Sequence, residues 1–283
     1  MSKIAILTDS GSGYPLEEAK ANNVYVLPLQ VIVDNVAYED GVTLTTSQLN
    51  NHLKNKKVPK TSTPTFATIL AMFDQIIEDG YDQIIALPLS RSLSSTADYF
   101  KQAAQEKEID LVVVEIYTTM FLQKHLTDLA QRYVTQGFST NQIVEKLNEK
   151  IDQAHCLIMP SDLNHLKAGG RLTPAAASLA ALLKIRPILA LSKATDGKID
   201  VVDKVRTDKK ALNSAIKLLK KQFDKKDVVV YIGHSDAYEK AEVTKQLLVE
   251  AGFSIEDIII QDIVAVIASH TGLDCVGIQI IEK

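Results

Sequence analysis

The 283-residue sequence predicts an α/β fold, with a parallel-sheet, Rossmann-like first half and a smaller α+β second half. Two observations carry this expectation. Short β-branched runs alternate with longer stretches of helical periodicity, and three of the four first-half runs are nearly continuous in apolar residues, as strands covered on both faces must be. Beyond about residue 154 the texture changes to shorter strands separated by strongly amphipathic helices.

Taken in order, residues 4–8, 24–33, 83–89 and 111–117 read as strands. Residues 16–22, 47–56, 66–79 and 97–106 read as helices, with Pro15 and Pro64 suited to first helical turns. This βαβ rhythm implies a parallel sheet with helices on both faces and a ligand edge at the carboxyl ends of the strands. Helices 121–136 and 141–153 close a first unit, 1–154. In a second unit, 155–283, a strand at 156–159 and the turn Gly169-Gly170-Arg171 lead into a small-residue helix at 174–184. Strands near 188–191, 199–205, 228–232, 258–260 and 277–281 follow, with helices at 209–223 and 237–251 between them.

Composition narrows the function. A hydrophobic content of 46% can fill a large core, and roughly 150 residues per domain suggests two domains. A net charge of −4, no Trp and 6% aromatics argue against a nucleic-acid partner. Cys156 and Cys275 are far apart and form neither a CxxC motif nor a disulfide framework, so a reducing, cytoplasmic setting is expected. The apolar run at residues 4–7 is too short for a signal-peptide core, and 174–191 is broken by Lys184, Arg186 and Pro187. A soluble protein without stable membrane insertion, making at most transient membrane contact, is the expectation.

Four turns follow apolar sequence and place hydroxyls, glycines or a guanidinium where a helix can begin: Thr8-Asp9-Ser10, Thr61-Ser62-Thr63-Pro64, Ser90 to Thr96, and Gly169-Gly170-Arg171. Helix starts have unsatisfied N–H groups and partial positive charge, so such turns suit a carboxylate or phosphate. Nucleotide motifs fail: Leu16 takes the third glycine position after Gly11-Ser12-Gly13, and Gly197-Lys198 lacks the upstream Walker glycine. There is no HExxH, no GxSxG and no metal-ligand spacing, so no metal or cofactor is expected. His52, His125, His155 and His165 read as surface or core residues, whereas His270, in a turn over 268–272, reads equally as a cleft-facing site residue and as an ordinary core or surface histidine.

Thr8-Asp9-Ser10, Pro59-Lys60-Thr61-Ser62, Ser90 through Leu93-Ser94 to Thr96, Gly169-Gly170-Arg171 and Ser269-His270-Thr271-Gly272 occur in the order and spacing of DegV proteins, and the chain resembles that family over essentially its whole length. The resemblance implies two α/β domains with a long-chain, palmitate-like fatty acid buried between or beneath them. It also implies a non-catalytic bacterial carrier that presents the acid to a separate fatty-acid kinase. Thr61 and Ser94 match the family hydroxyls that hold the carboxylate. Ser62, Arg171 and His270 match positions near the head group, and Arg206 matches a basic position of the kinase-docking surface. Thr63, Phe66, Arg91, Ser95 and Leu273-Asp274 depart from the usual pattern and bear on acyl preference and kinase coupling.

Physical chemistry divides the labour in such a site. Each buried CH₂ is worth about 0.8 kcal/mol, so roughly 14 methylenes supply on the order of 11 kcal/mol before ordering costs. A hydrogen bond to a charged group nets about 1.5–3 kcal/mol, so the hydroxyls position the acid while the tail supplies affinity. Capping of helices is the bland reading of Thr61 and Ser94. Phe66 and Ile69, with Ala176, Ala180 and Leu183, are the candidates for the tunnel wall; ordinary core packing is the alternative for each. Arg171 reaches either an oxyanion or Asp9, and Asp9 itself supports the loop, since it would repel a bound carboxylate. The rival function is an enzyme: a phosphotransferase, or a hydrolase using Ser94 with His270. A third reading is a ligand sensor whose partner recognises the loaded form.

Overall fold

The computed structural model describes residues 3–181 and 185–283. β1 (Ile4–Asp9), α1 (Leu16–Ala21) and β2 (Val24–Leu27) form a βαβ unit with parallel pairing. Pro28, which has no N–H to give a ladder, ends the strand. The chain then leaves for an antiparallel hairpin of β3 (Gln30–Val33) and β4 (Val36–Glu39). The single strand expected over 24–33 is therefore two strands in two sheets. Asp34 and Asn35 turn the hairpin with φ of 51° and 66°, the left-handed pair that a two-residue hairpin loop demands. α2 (Thr46–Lys54), opened by a Thr45–Gln48 capping box, leads to β5 (Lys60–Ser62), which pairs with β3. α3 (Phe66–Glu78), β6 (Gln83–Leu87), α4 (Thr96–Lys107) and β7 (Asp110–Val113) complete a parallel sheet of order β2-β1-β6-β7. α5 (Met120–Thr135) and α6 (Thr140–Asp152) close the first half.

The second half begins with β8 (His155–Met159), α7 (Asn164–Gly169), α8 (Pro174–Ser178), β9 (Arg186–Leu191) and β10 (Asp200–Val205). It continues with α9 (Asp208–Phe223), β11 (Val228–Ser235), α10 (Tyr238–Glu250), β12 (Ile258–Asp262), α11 (Ala265–Thr271) and β13 (Cys275–Glu282). Its sheet runs β10-β9-β8-β13-β11-β12 and is antiparallel except for β11 with β12. The helix expected over 174–184 is α-helical only to Ser178 and 3-10 from Leu179 to Ala181, while Leu182, Leu183 and Lys184 lie outside the described residues. The turn expected over 268–272 is the end of α11. That helix carries no start signal in the sequence because its N-cap is Val264, which has no side-chain acceptor.

Alternation along the strands builds the layers. In β1 and β6, Ala5, Leu7, Ile84 and Ala86 face α3 and α4, where Ile69, Phe73 and Phe100 pack on them. Ile6, Ile85 and Leu87 face the other way, onto α5 and α6, and the same apolar cluster continues into Ile158, Leu189 and Ile281 of the six-stranded sheet. The outer face of that sheet, including Leu157, Val230 and Ile278, is covered by α9 and α10 through Ala215, Leu219 and Leu248. The two sheets thus share one inner layer of helices, and α11 lies in it with Ala265, Val266 and Ala268 buried.

Candidate functional site

Along β5, Lys60 and Ser62 are on the exposed face, so the intervening Thr61 turns inward. Its Oγ1 lies 2.7 Å from Nε2 of His270, a residue 209 positions away in the last turn of α11. Gly169, at the end of α7, lies against the other side of the ring: a Cβ there would sit 2.2 Å from His270 Nδ1. Gly170 follows at φ 70° and reverses the chain. Arg171 then folds back, donating from its terminal nitrogen to the Gly169 carbonyl and from Nε to the Leu93 carbonyl at 3.2 Å. Ser94, next in the chain, has its Oγ 2.8 Å from Thr96 Oγ1 and accepts the Thr96 N–H at 3.3 Å, at the start of α4. One run of contacts therefore links Thr61, His270, Gly169, Arg171 and the Leu93-Ser94 turn. Ser62 is on the opposite face of β5, with its hydroxyl on Gln30 and the Thr63 carbonyl.

The turn after β1 supports this cluster without entering it. Asp9 is fully buried; its Oδ1 accepts the Gly11 N–H at 2.9 Å and Gln123 Nε2 at 3.0 Å, and its Oδ2 accepts the Leu89 N–H at 2.9 Å. The carboxylate thus ties the end of β1 to the loop after β6, and it does not pair with Arg171. Ser90 and Ser92 in that loop donate to the carbonyls of Gly197 at 3.0 Å and Asp196 at 2.8 Å, holding it to the segment before β10.

Burial sets the charge state. Desolvation, reinforced by Arg171 and His165, pushes His270 down to about 4, so its imidazole is neutral at pH 7. Burial raises Asp9 and Asp40 to about 6 despite the hydrogen bonds they accept, and lowers His125 to about 4. The signs oppose. The two raised carboxyls hold protons that the unfolded chain has lost, so their contribution falls as pH rises from about 4 to 6. The two imidazoles exclude protons that the unfolded chain takes up, so their contribution is lost as pH falls from about 6.5 to 4. His125, bonded through Nδ1 to Tyr231 at 2.9 Å, lies outside the cluster and isolates the second effect. Relative to the parent, His125→Gln is expected to gain about 2–3 kcal/mol of stability between pH 7 and 4.5. Urea unfolding at both pH values measures this, and an equal difference at the two would refute it.

The candidates for the tail divide between layers. Phe66 and Ile69 pack in the α3–α4 layer, Phe66 with its ring centroid 6.4 Å from that of Tyr99. Ala176 and Ala180 pack in the inner layer, on the other side of the parallel sheet. Leu183 lies outside the described residues. Arg206 follows β10, about 20 Å along that strand from Ile199, which bridges Leu172; it is exposed and apart from the cluster.

The inner layer contains an apolar cavity of about 40 Å³ lined by Met120, Phe121, Ile158, Ile267 and Thr271. Gly233 and Gly277 face each other across β11 and β13 on its wall: Phe121 and Ile263 close onto Gly233, whereas the missing side chain of Gly277 leaves space open. Thr271 is the next residue after His270, so the cavity and the Thr61–His270 contact adjoin one turn of α11. The space is well below the roughly 300–1,000 Å³ of a formed ligand pocket, so a long ligand entering here must displace packed side chains. Glycines inside strands are the sequence signal for such a site, and Gly233 and Gly277 belong to none of the motifs. Among the described residues no group of His, Cys, Asp and Glu is placed to hold a metal, and no helix is long and apolar enough to cross a membrane.

Comparison with known proteins identifies the family and its fold. The model of the DegV family, described as uncharacterised proteins, matches residues 3–283. A DegV domain-containing protein of Staphylococcus aureus strain MRSA252 is 31% identical with all of both chains covered, and one of Streptococcus pyogenes serotype M3 is 32% identical over 95% of each. Among solved structures, a fatty acid binding DegV family protein from Streptococcus agalactiae superposes with a TM-score of 0.91 at 31% identity, covering both chains fully. DegV from Bacillus subtilis, described as a fatty acid binding protein, gives 0.87 at 26% identity over the full length of both. With a family model spanning nearly every residue and relatives aligned end to end, the chain belongs to the DegV family.

Proposed function

We propose that the protein binds one long-chain, palmitate-like fatty acid and presents its carboxyl group to a separate fatty-acid kinase, without performing chemistry itself. The observation that carries this reading is the 2.7 Å contact between Thr61 and His270 inside the run that ends at Ser94. A neutral ring with its hydrogen on Nε2 donates to Thr61 Oγ1, which frees the threonine O–H to donate to a carboxylate. Ser94 supplies the second hydroxyl. The half-buried Arg171, whose described partners are backbone carbonyls, contributes positive potential without an acid competing for it. The fatty acid binding attributed to the Streptococcus agalactiae and Bacillus subtilis relatives supports the same ligand class here.

The tail, in this reading, enters the inner layer beside Thr271 and widens the small cavity toward Met120 and Phe121. Residues 1–154 then contribute the two hydroxyls, and residues 155–283 contribute Arg171, His270 and most of the cavity wall. The exposed Arg206 is a surface contact for the kinase, and the site acts in the cytoplasm. The hydrolase alternative fares poorly, because His270 is engaged by Thr61 and the Ser94 hydroxyl by Thr96, so no Ser–His pair forms. Mass spectrometry of an organic extract of the purified protein tests the proposal: about one fatty acid per chain is expected. Only sugars, nucleotides or nothing from several expression hosts would overturn it.

A further inference from the structure

α11 carries His270, yet nothing in its own sequence starts it. Its N-cap, Val264, makes no side-chain hydrogen bond, and a helix of seven residues has few internal bonds to hold it once its first N–H groups go unsatisfied. The missing acceptor comes from 226 positions away: Asp40 Oδ1 accepts the Val266 N–H at 3.2 Å and also faces the Ala265 N–H. Asp40 is only 4% exposed and is itself fixed. Its Oδ2 accepts from Ser10 Oγ at 2.7 Å, Ser10 Oγ accepts the Leu29 N–H at 3.0 Å, and the Asp40 N–H donates to the Leu29 carbonyl at 2.9 Å. The turn after β1, the end of the β3–β4 hairpin and the start of α11 thus meet at one carboxylate.

From that anchor we propose that Asp40 is the positioning residue of the head-group site: it caps α11 in place of Val264 and so sets His270 against Thr61. The inference rests on the fatty-acid reading for its functional consequence and on the geometry alone for its structural one. From Val266 to His270 is about 6 Å along the helix axis, so a shift of the first turn is passed almost rigidly to the imidazole. Ser10 in the Thr8-Asp9-Ser10 motif gains a role by the same route, since its hydroxyl orients the carboxylate. An aspartate suits the position because its two oxygens accept from Ser10 and from the helix at once, and its charge complements the helix N-terminus.

The test uses the full chain and three variants, Asp40→Ala, Asp40→Ala with Val264→Ser, and Asp40→Asn. The probes are palmitate and hexadecanol, which shares the tail and lacks the carboxylate. Asp40→Ala is expected to raise the palmitate Kd at least tenfold while leaving hexadecanol within twofold. The added Val264→Ser, which supplies a local cap, is expected to bring palmitate back to within about threefold of the parent. In the ligand-free protein the His270 ring proton resonance is expected to move in Asp40→Ala and return in the double variant. Equal loss of both ligands, no rescue by Val264→Ser, or an unmoved His270 resonance would overturn the proposal. Should Asp40→Ala not fold, Asp40→Asn keeps one acceptor oxygen, and its His270 resonance and palmitate Kd must still shift in the same direction. If the parent protein binds neither probe, the fatty-acid reading fails, while the His270 resonance still decides the positioning role.

Discussion

Replacing Gly169 with alanine is expected to weaken palmitate binding at least tenfold and leave the fold intact. Gly169 has ordinary helical backbone at the end of α7, so alanine brings no strain and is the better helix former by about 1 kcal/mol. What alanine brings instead is a methyl group 2.2 Å from His270 Nδ1, a distance that cannot be sustained. Because a ring on a rotatable side chain yields more readily than two packed helices, the imidazole swings away from Thr61. Thr61 then loses the partner that orients its hydroxyl, and a well-made hydrogen bond to a charged group, about 1.5–3 kcal/mol, is lost with it. Calorimetric titration together with thermal unfolding measures both halves of the expectation. An unchanged Kd, or a loss of affinity matched by a loss of folding, would show that His270 does not organise the head-group site.

Gly277→Val is expected to discriminate by chain length. The Cβ at this position meets only the Leu157 carbonyl at 3.6 Å, ordinary contact, and valine suits a β-strand. Its methyl groups project into the cavity over the β11–β13 glycine pair. If the tail ends there, room for two or three methylenes is lost at about 0.8 kcal/mol each, close to 2 kcal/mol and about thirtyfold in Kd. Laurate, four carbons shorter, is expected to stay within twofold of the parent value. A uniform loss across chain lengths would indicate damage to the sheet. No loss at all would move the tail out of the inner layer, with the α3–α4 layer around Phe66 and Ile69 the next place to look.

Much of the fold was legible because burial leaves a period in the sequence. β1, α1, α3, β6 and α4 lie within a residue or two of the expected bounds, and the apolar β1 and β6 proved to be covered on both faces. What escaped was set by contacts distant in sequence. Val264 gave no hint of a helix because its cap is Asp40, and 24–33 read as one strand because its composition is uniform while Pro28 alone divides it. Asp34-Asn35 was a hairpin signal that continuity of apolar residues obscured. At the site, the motifs at 61, 94, 171 and 270 identified residues that the fold links, but spacing along the chain carries no information about direction. Hence Ser62 points away from Thr61, Arg206 lies at the far end of β10, and Phe66 and Ile69 belong to a different layer from Ala176 and Ala180. The cavity belongs to no motif because part of its space is a side chain that is missing, at Gly277.

The central claim is that a carboxylate is held by the hydroxyls of Thr61 and Ser94 beside His270, and palmitate labelled with ¹³C at its carboxyl carbon reports on that place directly. The account predicts a single bound carboxyl resonance at one equivalent, held ionised to a pH well below that of the free acid. Thr61→Ala, Ser94→Ala and Gly169→Ala should each displace this resonance. A bound resonance that titrates like free fatty acid and ignores all three substitutions would place the head group elsewhere and contradict the account.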